Sequence, residues 1–242
     1  MNVLLVPNQM ERRRKPATTG DLPFPNRNRG GQRDGAGRKP KGAKAACKHK
    51  VREKLAPRFP AHVTVKAASG LPGLRQAREY AALRGAFAAG CDRFGFRLVH
   101  YAVLHDHLHM LVEAADRPSL TRGVQGLLIR VAKALNKLWA RSGKVFPDRY
   151  HDRILKTPRE VRNCLVYVFA NGHKHHHQGR GPRPAASIDT FTSAPWFNGW
   201  KETFTVHGLE AIVRPVTDGQ TWLLNTGWRR HGLLSITETP AA

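Results

Sequence analysis

Residues 96–113 read FRLVHYAVLHDHLHMLVE. Two apolar-rich runs, Phe96–Leu104 and His107–Glu113, are separated by a tight connection and read as strands. Upstream, His62-Val63-Thr64-Val65-Lys66-Ala67 alternates like a half-buried strand. After a Gly70–Gly73 turn, residues 74–90 read as a helix with Leu74, Ala77, Tyr80, Ala81, Leu83 and Phe87 along one side. Downstream, Ser119 is placed to cap a helix in which Leu120, Val124, Leu127, Leu128, Val131, Leu135, Leu138 and Trp139 recur at three- and four-residue steps, with Gly143 as its stop. Tyr150–Lys156 reads as a strand. A last helix opens at Thr157-Pro158-Arg159-Glu160 and runs to about His173. Thr157 is its N-cap, Pro158 its first residue, and Glu160 completes a capping box.

The order β-α-β-β-α-β followed by a helix predicts an α+β fold. Its expected form is a ferredoxin-like split β-α-β core with a four-stranded antiparallel sheet and two helices on one face. Three segments follow from composition: an arm over residues 1–57, a core over 58–175, and a Pro/Gly-rich then aromatic extension over 176–242. Lys plus Arg number 41 against 17 Asp plus Glu, giving a net charge of +24, and the pI is near 11.1. Residues 1–60 alone hold sixteen Lys/Arg and four Asp/Glu, so they supply +12 of that charge with few apolar residues to fold around. Such a balance predicts a polyanionic partner. Within the arm, Gly35-Ala36-Gly37-Arg38-Lys39-Pro40-Lys41 resembles an AT-hook, whose extended Arg-containing core lies in a narrow A·T-rich minor groove.

No stretch approaches the ~20 apolar residues that span a bilayer, so no membrane is expected. The opening MNVLLVPNQMERRRK puts its basic cluster after a short apolar run, the wrong order for a secretory signal. Cys47, Cys91 and Cys164 are odd in number and widely spaced, which fits a reducing cytoplasm. The tail carries Trp196, Phe197, Trp200, Trp222 and Trp228, which read mainly as packing the tail onto the body. Base stacking, interleaved with Arg214, Arg229 and Arg230, is the sharper reading.

The pentad His105-Asp106-His107-Leu108-His109 carries the chemistry. In a strand the side-chain period is two, so the three imidazoles are expected on one face, with Leu108 and Met110 on the other. Two neutral imidazoles two residues apart on a rigid strand make a metal platform. On the last helix, at roughly 100° per residue, Val161, Leu165, Val168 and Phe169 form the apolar stripe. Tyr167 and Asn171 stand on a different side and are neighbours one turn apart.

Together these residues resemble the HUH-superfamily transposases with one catalytic tyrosine, in particular the REP-associated tyrosine transposases. The resemblance runs from His62 to His173. Its signatures are His107-Leu108-His109 within a strand, Tyr167-Val168-Phe169-Ala170-Asn171 on a helix, and Arg149-Tyr150-His151-Asp152-Arg153-Ile154 before that helix. Two positions differ: His105-Asp106 stands where the family often has Pro-Asn, and Asn171-Gly172 where it often has Asn-Pro. The resemblance implies the HUH endonuclease architecture. It also implies metal-dependent cleavage and strand transfer of single-stranded DNA through a 5′-phosphotyrosine on Tyr167, at DNA hairpins, in a transposase or a domesticated relative. It further implies Mg²⁺ or Mn²⁺ on His107 and His109 with the Asn171 carboxamide as third ligand. The expected DNA contacts are Arg38, Lys39, Lys41, Arg149 and Arg153, in a cytoplasmic, nucleoid-associated monomer or homodimer.

Two rivals use the same residues. A DNA hairpin-binding protein would keep the scaffold without cleaving. A histidine-triad nucleotide hydrolase or transferase would use His105 to Leu111 as His-x-His-x-His followed by apolar residues. That reading departs at Asp106, lacks a Gly-rich phosphate loop upstream, and does not account for the charge.

Overall fold

The computed structural model describes residues 52–176 and 188–240, with 171–176 as backbone only. Arg38, Lys39 and Lys41, with the rest of the arm before Arg52, lie outside the described residues, as does 177–187.

The elements are strand β1 (Ala61–Lys66), helix α1 (Ala77–Ala88), β2 (Asp92–Arg93), β3 (Phe96–Val103), β4 (His107–Ala114), helix α2 (Arg117–Leu138), β5 (His151–Ile154) and helix α3 (Pro158–His176). The fold is α+β. Its five strands lie in the order β2-β3-β4-β1-β5, each antiparallel to its neighbours. That is one strand more than the sequence predicts. The extra one is β2, which at two residues is too short to leave a period, and it turns into β3 through Phe94 and Gly95, both at positive φ.

Strand alternation sorts the side chains into two cores. Val63 and Val65 of β1 and Leu108, Met110 and Val112 of β4 face the layer formed by α1 and α2. On the opposite face, Leu111 joins Val99 and Ala102 under Val161, Leu165, Val168 and Phe169 of α3. β4 is therefore covered on both faces, but unequally: Leu108, Met110, Val112 and Ala114 fill the α1/α2 side, while the α3 side carries His107, His109 and Glu113 beside Leu111. A register shift between Leu98 and His100 lets both Val99 and His100 face the α3 side.

Helix α3 begins as its sequence dictates. The Glu160 amide donates to Thr157 Oγ1 at 3.2 Å, and the Thr157 amide donates to Glu160 Oε2 at 3.1 Å. For α2 the expected cap is corrected: Asp116 is the N-cap, and its Oδ1 accepts from the Ser119 amide at 2.7 Å. Three residues is the reach of a side-chain cap, and Pro118 fits the first turn. The same helix stops at Leu138 rather than at Gly143, because Ala140 turns to φ 48° and Trp139 is pinned by its indole N–H to Glu79 Oε1 at 3.0 Å. Helix α1 starts at Ala77, not at 74, since the Leu74 amide is taken by the His105 carbonyl at 2.8 Å.

Residues 188–240 run as irregular chain, short 3₁₀ turns and a one-turn helix α4 (Trp222–Asn225), packing mostly on the α3 face, while Phe191, Trp196 and Val216 reach the α1/α2 core. Their anchor is Glu113 of β4, 1% exposed, which accepts from the Gln220 and Thr221 amides and from Arg97 Nε. Trp228 is 1% exposed and Phe197 is buried with it, whereas Trp222 is 49% exposed beneath Arg230. The tail thus packs its aromatics onto the body, with Trp222 set apart.

Candidate active site

Strands β1 and β4 pair so that Thr64 stands opposite His109 and Lys66 opposite His107. His62, Thr64 and His109 consequently point to the α3 side, while Val63, Val65 and Leu108 fill the other core. Helix α3 lays Tyr167 across this patch. The Tyr167 ring meets His109 edge-on with centroids 5.0 Å apart and His62 at 5.7 Å, and the His107 and His109 rings are 4.9 Å apart at 88°. The sequence-predicted pair and the tyrosine, separated by about sixty positions along the chain, form one cluster. Tyr167 is half-buried and off the apolar stripe, as its helical position predicts.

Each imidazole is held at Nδ1. His107 Nδ1 lies 2.7 Å from Asp106 Oδ1, and Asp106 is itself 3.4 Å from Lys66 Nζ. The hydrogen bond from His107, followed by the weaker pull of Lys66, holds the Asp106 carboxyl below its ordinary range. His109 Nδ1 is 3.1 Å from both Thr64 Oγ1 and His62 Nε2. Burial, reinforced by Arg153, lowers the His62 pKa to about 4, so His62 is neutral and able to accept at Nε2.

This donor set fits a divalent ion. With Nδ1 of both rings engaged by a carboxylate, a hydroxyl and a neutral imidazole, Nε2 is the nitrogen each would present, the arrangement usual for metal-ligating histidines. Among the described residues no group of three or more His, Cys, Asp or Glu could hold a metal ion. Asn171 sits one turn beyond Tyr167 on α3, but its side chain lies outside the described residues.

The expectation of three imidazoles on one face is corrected. β4 begins only at His107; Leu104 N donates to His107 O at 2.9 Å and closes a turn in which His105 is exposed. His105 packs over Gly73, where even a Cβ would overlap its ring. The turn breaks the two-residue alternation, so the face that a histidine-triad site needs does not form. Arg149 is exposed before β5. Arg153 is also exposed but is paired with Glu160 Oε1 at 2.9 Å, within the α3 capping network.

Sequence reasoning passed over His62, Thr64 and Asp106 as parts of the site. The alternation of β1 places His62 and Thr64 on one face, but only the pairing of β1 with β4 sets them against His109. The described helices include none long and apolar enough to cross a membrane.

No protein-family model matches the chain, and no curated protein matches it. Solved structures similar to part of it include two transposases. One is a REP-associated tyrosine transposase bound to a REP hairpin, at 15% identity and TM-score 0.44, covering 53% of this chain and 74% of that one. Another is a putative transposase from Deinococcus radiodurans, at 15% identity and TM-score 0.35, covering 57% of this chain and 100% of that one.

Proposed function

We propose that the chain cuts and rejoins single-stranded DNA by transesterification on Tyr167, with a divalent ion, Mg²⁺ or Mn²⁺, held by His107, His109 and Asn171. The observation that carries this reading is the Tyr167 ring set edge-on against His109, 5.0 Å away, beside His107. A tyrosine and a paired-imidazole platform, drawn from a helix and a strand far apart in sequence, meet at one place. A phosphodiester is anionic, and a nucleophile attacking it needs charge neutralisation more than basicity. When bound, the ion supplies that neutralisation and polarises the scissile bond.

The residues of the chain do the rest. Tyr167 Oη attacks phosphorus, the Oη–P bond forms and the P–O3′ bond breaks. The phenolic proton lost is balanced by the proton gained at the departing 3′-hydroxyl. Because one ester is exchanged for another, a later 3′-hydroxyl reverses the step and rejoins a strand without ATP. Asp106, Thr64 and His62 fix the rings of His107 and His109. The hairpin form of the substrate follows the sequence resemblance, and the +24 charge supports DNA as the partner.

The test is Tyr167→Phe. That change removes the attacking oxygen and leaves the ring that packs on His109. With a labelled single-stranded hairpin and Mn²⁺, the wild type forms a covalent protein–DNA adduct that survives denaturation. The variant forms none, yet binds the same DNA with unchanged affinity. An adduct of normal yield in Tyr167→Phe rejects the nucleophile. Tight binding with no adduct in the wild type assigns the chain to non-catalytic hairpin binding.

A further inference from the structure

Of the tryptophans in the extension, three are used for packing. Trp228 is buried, and Trp196 and Trp200 are partly buried against the two cores. Trp222 differs. It is 49% exposed, although the next two residues of α4, Leu223 and Leu224, are buried against the apolar stripe of α3. Its ring is nonetheless held in place. It lies on Gly227, where a Cβ would come within 2.7 Å of Trp222 Cζ3, and the Arg230 guanidinium stands 4.8 Å from its centroid. Gly227 and Arg230 belong to the 3₁₀ helix Gly227–His231. Residues three apart eclipse in such a helix, so both support the ring from one side and leave the other to solvent. A tryptophan that served only packing would turn inward, as Trp228 does.

The surroundings of the ring are cationic. From Gln220 to Thr237 the chain has no Asp or Glu. Of the arginines interleaved with the aromatics, Arg214 is taken by Asp218 and Arg229 by Asn198. Arg230 is exposed and makes no ion pair among the described residues. The place is also fixed relative to the candidate active site. Arg162 of α3 donates from Nε to Gly232 O at 3.0 Å and from Nη2 to Leu233 O at 3.3 Å, at the end of the same 3₁₀ helix. Tyr167 lies five residues further along α3, ~7.5 Å at ~1.5 Å per residue.

The geometry points to Trp222 and Arg230 as a stacking platform for one unpaired base of single-stranded DNA. The open face of the indole takes the base, and the guanidinium beside it meets the phosphate. This rests on the reading of the chain as a single-strand DNA transesterase and adds where the strand is held away from the cut. Charge complementarity selects a nucleic acid: the free group is an arginine, in a chain of net charge +24. The ring selects the unpaired strand. Every base has a π-face that an aromatic ring can cover, whereas the bases of a duplex are already stacked on one another. A flat ring backed by glycine is ready to receive such a base without first being ordered. The extension then has two tasks: its buried aromatics fix it to α3, and its exposed one holds the strand.

The experiment follows tryptophan emission and affinity in the full chain. Oligothymidylates of about four to sixteen nucleotides, the span of single-strand sites, are titrated into wild type, Trp222→Ala and Trp222→Phe at fixed salt, beside a blunt duplex. The expected result is that the oligothymidylate quenches wild-type emission and binds Trp222→Ala on the order of tenfold more weakly, the worth of one stacked base. Trp222→Phe keeps a ring to stack on, so it recovers most of the affinity while the quench is lost. Duplex affinity is the same in all three. Absence of a quench in wild type overturns the platform, and so does a loss in Trp222→Ala that is equal on the duplex. A quench that grows with protein concentration without DNA assigns the ring to a contact between copies and overturns it too. The two readings fail separately. The quench and the tenfold loss, with no covalent adduct in wild type on a hairpin with Mn²⁺, keep the platform and reject the nucleophile. An adduct in wild type, with affinity unchanged in Trp222→Ala, keeps the nucleophile and rejects the platform.

Discussion

His109 is held by two neighbours on the strand beside it, at 3.1 Å each, and by the edge of Tyr167 above it. For its Nε2 to carry a metal, its Nδ1 must carry the proton, and Thr64 Oγ1 and the neutral His62 are the acceptors that keep it there. His62 is therefore a positioning residue. Outer partners of this kind are worth ~10–100-fold in metal affinity. His62→Ala is expected to weaken Mn²⁺ binding by that order in calorimetric titration. His62→Gln, which restores an acceptor, is expected to recover part of the loss, and His105→Ala to bind as the wild type does. Mn²⁺ affinity unchanged in His62→Ala would remove His62 from the site. The pair His107 and His109 is legible from spacing alone. His62 is not, because its neighbour across the sheet is set by strand register and not by sequence separation.

Among the secondary-structure elements, α2 and α3 obey local rules to different degrees. Thr157, Pro158 and Glu160 open α3 where the motif places them, since a capping box is satisfied within four residues. Gly123 in α2 shows where local rules mislead. Replacing a mid-helix glycine with alanine ordinarily stabilises by up to ~1 kcal/mol. Here a Cβ would overlap the ring of Phe96, a 1% exposed residue of β3 on which α2 rests. Gly123→Ala is expected to destabilise the fold by ~1–3 kcal/mol, the usual cost of overpacking. Urea denaturation checks the sign, and an increase in midpoint contradicts the close packing of α2 on β3.

For the fold as a unit the extension is structural: it seals the α3 face of the sheet. His100 of β3 lies in that seam, between the rings of Phe169 and Phe197 and 3.3 Å from Ser193 Oγ. Burial first, then Arg214, lowers its pKa to about 3, against a smaller opposing pull from Asp218. The folded state thus keeps His100 neutral while the unfolded chain takes a proton below its ordinary pKa near 6.5. The stability contributed is complete above that value and is lost as pH falls from about 6.5 toward about 3. At pH 5 this amounts to about 2 kcal/mol. His100→Gln keeps a polar partner for Ser193 and does not titrate. Its stability is expected to fall less than that of the wild type between pH 7 and pH 5, by about that amount. Parallel denaturation curves for the two proteins would contradict the assignment.

Local sequence was enough to dictate the order of the elements other than β2, the opening of α3, the spacing of the imidazole pair and the tyrosine off its helix stripe. Each is written in spacings of two to four residues, the range over which backbone periodicity and capping act. It took the folded chain to decide that β2 pairs with β3 and that His105 turns away to pack on Gly73. The fold also decided that His62 and Thr64 reach His109, and that Glu113 and His100 anchor a tail more than ninety residues downstream. These depend on strand register and layer packing, which join residues remote in the chain through contacts that leave no local periodicity.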